Sequence, residues 1–514
     1  MIFRSRRELV EQLSDPYDVI IIGGGATGLG AALDAVSRGL RVALFERSDF
    51  TKGTSSRSTK LIHGGVRYLQ SGQVRLVSEG LKERGLLLRN APHLVKPIQF
   101  FVPTGSFIER MYTGLGLKFY DLLSGRKRIG WSRPIAGRIA ARKLPNLSRK
   151  KFAGGIVYSD GQFDDARLGL ISALTCIEQG ATALNYFRVI DLINDNGKVT
   201  GVKVSDRLDG KEYVVNGKAV INATGVFSDK VMKLSKSSLG HKVVASQGAH
   251  IVLDKKFLNS DLGVLVPKTS DGRVLFVIPW QGYTLAGTTD VMVKKAKLEP
   301  VPFESEIDFI LETLSEYLEI KPTRNDILSA FAGLRPLIKQ EGMSTKDMSR
   351  EHTIFMSSDG LITITGGKWT AYRKMGQDVI DKAVTEAGLE AKPSGSAHLK
   401  LFGYSLNSEK YREYGSCSSI IEEIEKEKEG FDTKIHPEHP YTVAQVVYGV
   451  RNEHAHTLED VLARRIRLLF LDARAAIESA PKVAKIMKVE LEKDDSWVEQ
   501  QLTKFKKLAE GYQA

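Results

Sequence analysis

The run Gly23-Gly24-Gly25-Ala26-Thr27-Gly28 has the spacing G-x-G-x-x-G, which turns a chain sharply and sets backbone amides against a pyrophosphate. In such a loop Gly23 allows the tight turn, Gly25 lets the phosphates approach the backbone, and Gly28 lets a helix pack on a strand. The first amides of that helix then face the anion. Glu46 follows Gly28 by 46 − 28 = 18 residues, where a carboxylate accepts hydrogen bonds from a ribose diol and repels a 2′-phosphate. The glycines alone are a weak signal; with the acidic residue in register they predict a dinucleotide site, which a ligand-free turn does not explain. Two distant segments return to the same chemistry. One is Asn222-Ala223-Thr224-Gly225. The other is residues 359–367, ending in Gly366-Gly367 and leading into a helix expected to start near Lys368, whose positive end suits the pyrimidine side of a flavin. A one-site NAD domain needs no such returns, so the expected cofactor is FAD, bound non-covalently.

The elements that must position these residues are legible in outline. Residues 17–23 form a short apolar, β-branched run, residues 26–38 have helical spacing, and residues 41–46 form a second apolar run: a βαβ unit. Residues 51–65 are polar and glycine-rich and too long for a routine turn, which points to a functional loop. Residues 74–90 read as a helix, and Asp164 is placed to cap another that runs to Gly180. Strands are expected at 199–205 and 212–215, with a turn at Asn196-Gly197, then at 218–225, and at several places within 241–289. After the helix that ends near Ala387, residues 393–396 read as a linker and the remainder as helical and charged.

A chain of 514 residues is too long for one core, so two or three domains are expected. Residues 1–16 lack the apolar core of a secretory signal, and no run of 18 apolar residues suggests a spanning helix. Two distant cysteines, Cys176 and Cys417, argue for a reducing compartment and read as structural. The net charge of +13 favours a polyanionic partner: nucleic acid, an anionic membrane surface or a phosphorylated substrate.

Residues 54–69, Thr-Ser-Ser-Arg-Ser-Thr-Lys-Leu-Ile-His-Gly-Gly-Val-Arg-Tyr-Leu, resemble the signature of the FAD-dependent glycerol-3-phosphate dehydrogenases. Asp164-Asp-Ala-Arg167, Gly287-Thr-Thr-Asp290, Gly333-Leu-Arg-Pro336 and Gly366-Gly-Lys-Trp-Thr-Ala-Tyr-Arg373 resemble the same family, so the likeness spans nearly the whole chain. It implies an α/β fold with added helices: a glutathione-reductase-like FAD-binding domain (1–83, 155–240 and 336–392), a sheet-based substrate domain (84–154 and 241–335) and a helical C-terminal cap (393–514). It also implies cofactor contacts from Thr54, Ser55, Ser56, Ser58, Lys60 and His63, and from Gly225, Gly367, Lys368 and Thr370. The implied substrate pocket holds Arg67, Arg335, Arg350 and Lys368, with Tyr68 nearby. Several cations are needed because each charge-assisted hydrogen bond returns only about 1.5–3 kcal/mol to a phosphate dianion leaving water. The catalytic base is expected to be His250, with His63 as the second candidate, since an imidazole titrates near neutral pH.

The expected reaction is oxidation of glycerol 3-phosphate, with electrons passed to a membrane quinone. The alternatives are an oxidase of the same substrate that makes hydrogen peroxide and an amine or amino-acid oxidase, which the cations disfavour. Between Arg110 and Lys151, cations interleave with Met111, Tyr112, Leu115, Leu117, Phe119, Leu122 and Trp131. That pattern suits an interfacial segment on anionic lipid, so the chain is expected to be cytoplasmic and attached to the inner face of the cell membrane. No nucleic-acid-binding module is recognisable, no metal spacing is found among the histidines, and homo-oligomerisation is left open.

Overall fold

The first strand, Tyr17–Ile22, is buried at every position but Asp18 and lies at the centre of a sheet. The computed structural model describes residues 3–70, 72–235, 240, 242–339, 351–406 and 410–514. Across this sheet the order is His352–Met356, Ile362–Gly366, Glu212–Asn222, Tyr17–Ile22, Val42–Phe45 and Thr182–Leu184. All neighbours are parallel except the edge strand His352–Met356. The two strands expected at 212–215 and 218–225 are one strand. Its first half pairs with Lys198–Asp206 and its second half with Tyr17–Ile22. Gly217 permits this passage, because a Cβ there would lie 2.8 Å from the Ile20 side chain.

Helix Ala26–Ser37 packs beside helix Tyr372–Ala387 with the backbones in contact. A Cβ on Gly30 would lie 2.2 Å from the Tyr372 carbonyl oxygen, and one on Gly376 would lie 2.2 Å from that of Gly30, so both positions demand glycine. The helix expected from Lys368 opens as a 3-10 turn, Trp369–Ala371, and becomes α-helical only at Tyr372. Gly366 and Gly367, with φ of +82° and +78°, still direct the chain there. Asp164 caps Asp165–Glu178 by accepting from the Arg167 amide at 2.9 Å.

The second sheet is largely antiparallel. Its long central pair is Val243–Asp254 with Ile327–Ile338, followed outward by Tyr283–Gly287, Leu275–Trp280, Leu262–Val266, Val95–Thr104 and Gly154–Phe163. Leu61–Ile62, from the segment 1–83, and Gly154–Phe163, which crosses the boundary at 154/155, join this sheet, because Gly154–Phe163 pairs along its whole length with Val95–Thr104. Alternation on Val95–Thr104 sends Ile98, Phe100 and Val102 to one core, shared with Leu117 and Tyr120, and Phe101 to a second core with Ala140, Leu144 and Ile310.

The C-terminal helices, among them Val443–Asn452, Ala473–Glu490 and Asp495–Glu510, dock on the cofactor side through buried ion pairs. Asp49 takes Arg464 at 2.5 Å and also Arg465, and Arg167 takes Glu453. Both cysteines are buried. Among the described residues no helix is long and apolar enough to cross a membrane.

Candidate active site

A long cleft opens at the carboxyl ends of the parallel strands, where ligands of such sheets bind. It holds about 1620 Å³ of free space, mouth included, and Gly23, Gly25, Glu46, Thr54, Ser55, Gly225, Gly367 and Lys368 line it. Gly23 turns the chain at φ +109°, and a Cβ on Gly28 would lie 1.9 Å from the Gly23 carbonyl oxygen. Gly25 occupies the N-cap of Ala26–Ser37, and that helix has no side-chain cap. Ser55 Oγ accepts the Ala26 amide at 2.9 Å, which leaves the next amides to meet an anion. A Cβ on Gly225 would meet nothing within 4 Å. Glu46 accepts from the amides of Gly24 at 2.8 Å and Ser48 at 2.9 Å. Burial raises its pKa against the pull of those two donors, and each carboxylate oxygen keeps a lone pair for a ribose hydroxyl. An uncapped helix, a glycine cradle and an acidic wall fit an FAD.

The loop that follows is stitched between the two sheets. Thr54 Oγ1 donates to the Leu334 carbonyl at 2.6 Å, and Trp369 Nε1 donates to that of Ser55 at 2.8 Å. The side chains of Ser56, Ser58 and Lys60, expected to contact the cofactor, have partners within the protein. Lys60 Nζ donates to Asp165 Oδ2 at 2.7 Å and to the Ser56 carbonyl at 2.9 Å, and Ser58 Oγ donates to the same carboxylate at 2.7 Å. The Ser56 side chain is itself buried and, among the described residues, reaches the Gly53 carbonyl at 3.5 Å. Arg467, from the C-terminal region, completes the group at 3.2 Å from Asp165 Oδ1. Lys60 and Asp165 are both 0% exposed, and a buried charge must be satisfied before anything else. Burial pushes the Lys60 ammonium down to about 7, while Lys60 and Arg467 hold the Asp165 carboxyl below its ordinary range.

Thr59, between these residues, is hydrogen-bonded to His250 Nε2 at 2.9 Å. Across Val243–Asp254 and Ile327–Ile338, Ser246 lies opposite Arg335, Gly248 opposite Gly333 and His250 opposite Phe331, so the period of two places all six on one face. His250 stacks on Phe331 with centroids 5.0 Å apart. Its Nδ1 is buried and has no hydrogen-bond partner among the described residues. Burial, reinforced by Lys60 and Arg335, keeps the ring neutral to well below pH 6.5. Arg335 donates to Thr288 Oγ1 at 2.9 Å and to the Thr289 carbonyl at 3.1 Å, and it lies 3.5 Å from Asp290. Gly287–Asp290 and Gly333–Pro336 are therefore one structural unit. Gly248 makes room for it, since a Cβ there would lie 2.3 Å from Arg335 Nη2.

A second cation stands on the other side of the loop. Lys368 Nζ lies 3.7 Å from the centroid of Tyr68. The His63 amide donates to Thr370 Oγ1 at 3.1 Å, and burial, then Lys368, pushes the His63 imidazole down to about 4. Arg67 is exposed on the short helix Arg67–Gln70. Arg350 lies outside the described residues. Thr59, Asp165 and Arg57, which lines the cleft and pairs with Glu299, went unassigned in the sequence. The stretch 164–167 drew attention there, but nothing in it shows that Asp165 reaches three distant partners.

A dinucleotide cradle on a parallel sheet, joined to an antiparallel sheet that presents a neutral histidine, defines a flavoprotein oxidoreductase. The pattern of the FAD dependent oxidoreductase family matches residues 18–373, and that of the C-terminal domain of alpha-glycerophosphate oxidase matches residues 404–498. The mitochondrial glycerol-3-phosphate dehydrogenase of Arabidopsis thaliana is 39% identical over 98% of this chain and 87% of its own. That of Homo sapiens is 40% identical over 98% of this chain and 75% of its own. The structure of the glycerol-3-phosphate dehydrogenase from Bacillus halodurans, complexed with FAD, superposes with a TM-score of 0.81 at 28% identity, covering 99% of this chain and 98% of that one. The chain belongs to the FAD-dependent glycerol-3-phosphate dehydrogenase family.

Proposed function

We propose that this chain oxidises sn-glycerol 3-phosphate to dihydroxyacetone phosphate on a non-covalently held FAD and passes the electrons to a membrane quinone. The observation that carries the reading is His250. It is a buried, neutral imidazole with one nitrogen on Thr59 and the other, Nδ1, without a partner among the described residues, on the same strand face as Arg335. A buried ring nitrogen needs a partner, and the C2 hydroxyl of the substrate supplies one. FAD, when bound, accepts the hydride from C2. Arg335 and Lys368 hold the phosphate dianion, Tyr68 steadies Lys368 from below, and His250 takes the hydroxyl proton at Nδ1. The exclusion of water by Phe331 and the loop 54–60 keeps that imidazole uncharged and ready. Arg67 and Arg350 are further cations for the same phosphate, and His63 braces the loop.

Arg335→Ala or Lys368→Ala is expected to lower kcat/KM for glycerol 3-phosphate by roughly ten- to 150-fold, the worth of one charge-assisted contact, with little change for unphosphorylated glycerol. Equal losses on both substrates would assign these residues to the flavin or the fold. Reoxidation of the reduced enzyme by oxygen, with peroxide formed and quinone ineffective, would replace the quinone reading with the oxidase one.

Attachment to an anionic membrane is supported by helix Phe107–Leu123. Ile108, Met111, Tyr112, Leu115, Phe119 and Leu122 recur at helical spacing and are exposed, Ile108 at 78% and Tyr112 at 71%. Leu117, grouped with them in the sequence, is buried, because it falls on the opposite face of the helix. The stripe begins at Phe107, ahead of the basic segment as first bounded. Trp131 stands between Arg128 and Lys118, at 3.6 and 4.8 Å from its ring centroid, and Arg126 and Lys127 follow the helix. Each cation near an anionic surface contributes about 1 kcal/mol, so replacing Arg126, Lys127 and Arg128 with Gln is expected to lower partitioning onto anionic liposomes by about 100-fold at low salt. Dye-linked activity in solution should be unchanged. Flotation with equal affinity for neutral and anionic lipid would dismiss this surface.

A further inference from the structure

The strand that carries His250 has a second face, and a buried carboxylate lies behind it. On Val243–Asp254, Gln247 and Ala249 alternate with Ser246, Gly248 and His250, so they point to the face opposite His250 and Arg335. Ala249 shares a core there with Ile307 and Ile310 of helix Glu304–Tyr317. Gly287 pairs with His250 and Val291 with Gln247. Thr288, Thr289 and Asp290 therefore stand opposite Gly248 and Ala249 alone, and the ladder is interrupted by the extra residue. A side chain repairs it: the Ala249 amide donates to Thr289 Oγ1 at 2.7 Å.

Glu306, on that helix, is 2% exposed and ties the region together. Its Oε1 accepts from Thr289 Oγ1, and its Oε2 accepts from Gln247 Nε2 at 2.7 Å and from the Phe303 amide at 2.9 Å. A carboxylate offers only acceptors, and these donors use it in that role. The same Thr289 and Gln247 meet the active-site face through their backbones. Arg335 Nη2 donates to the Thr289 carbonyl at 3.1 Å, and Arg335 Nη1 donates to that of Gln247 at 3.4 Å. His250 directly follows Ala249, whose amide Thr289 holds. Behind both the cation and the imidazole stands one carboxylate.

We infer that Glu306 is a positioning residue for the reaction: through Thr289 and Gln247 it holds Arg335 and His250 at the spacing that a phosphoester and a hydroxyl on adjacent carbons require. The inference rests on the roles proposed above for those two residues. A displacement of about 1 Å at a reacting group costs about 100-fold in rate, so a link that fixes both ends of the substrate has a large effect without touching it. Glutamine cannot replace Glu306, because its amide group donates and would face another donor, turning Thr289 or Gln247 away.

The test follows anaerobic bleaching of the flavin by glycerol 3-phosphate in the full-length protein, expressed per bound FAD so that loss of folded protein does not enter. Glu306→Gln and Thr289→Val, which keeps the side-chain shape without the hydroxyl, are each expected to lower the second-order rate of reduction about 100-fold. The loss should divide between weaker substrate binding, through Arg335, and slower reduction at saturation, through His250. Thr289→Ser keeps the hydroxyl and should stay close to wild type. The double variant of Glu306→Gln with Thr289→Val should be about as slow as either single one, since both cut the same link; independent effects would multiply to about 10⁴-fold. Should Glu306→Gln fail to retain FAD, Thr289→Val against Thr289→Ser carries the same test. Wild-type rates per bound FAD in Glu306→Gln or Thr289→Val would overturn the inference, even with a lowered melting temperature, and so would losses that multiply. Wild-type flavin left unbleached by glycerol 3-phosphate would instead sink the functional reading, and this inference with it.

Discussion

His250→Asn slows anaerobic reduction of the bound flavin by about 10²–10⁴-fold, the usual worth of a general base, while FAD content and folding are retained. Asparagine keeps a polar atom near the place of Nδ1 without the basicity of an imidazole, while the contact that Nε2 makes with Thr59 is given up. The pH profile separates catalysis from packing. Burial, Lys60 and Arg335 together keep His250 neutral well below its ordinary range, so its own titration lies on the acid side of pH 6.5. The deficit of the variant should therefore be constant from pH 6.5 upward and shrink only in acid, where the wild-type imidazole also becomes protonated. Stopped-flow bleaching of the flavin measures this directly. A variant reduced at the wild-type rate would make His250 a packing residue and His63 the next base to test.

Asp165→Ala is expected to be the most damaging substitution for the fold. It removes the carboxylate that Lys60, Ser58 and Arg467 share, leaving buried Lys60 without its ion-pair partner and Arg467 with Asp164 alone. Breaking a buried pair from one side costs about 3–5 kcal/mol, a large part of the stability of any domain. The loop 54–60 would be released together with the contact between Thr59 and His250. A lower melting temperature and poor flavin retention should appear together, with Asp165→Asn intermediate. The sign with pH follows from the depressed carboxyl. Its stabilisation is complete above the unfolded value near 4 and is lost as pH falls through the folded one, so wild type and variant should converge in acid. An unchanged melting temperature would show that water reaches Lys60 and Arg467 once the carboxylate is gone.

The parts of this molecule legible in the sequence are those whose chemistry is local. Gly23, Gly25 and Gly28 state their roles by spacing alone, since a tight turn, a close anion and a helix–strand contact are all made within a few residues. Glu46 was legible because a βαβ unit sets how far the second strand lies from the first, and Asp164 because an N-cap is satisfied within one turn. Periodicity marked the helix Phe107–Leu123 as amphipathic, but the burial of Leu117 needed its orientation on the sheet.

What the tertiary structure alone decided is how distant charges are shared. Ser56, Ser58 and Lys60 lie in the loop that the sequence assigned to the cofactor, yet Ser58 and Lys60 turn their side chains to Asp165, and that of Ser56 is buried against its own loop. Asp165 is more than 100 residues from that loop and about 300 from Arg467. No spacing rule connects such residues, because their proximity comes from two sheets and a helical cap closing on one another. Arg335 likewise read as a free cation for phosphate, while in the fold it already rests on Thr288 and Asp290. The sequence marked Glu46, the loop 54–69 and Arg335 as candidates for the site. Their pairing was decided by burial, since a charge taken out of water must find its partner among whatever the fold brings within about 3 Å.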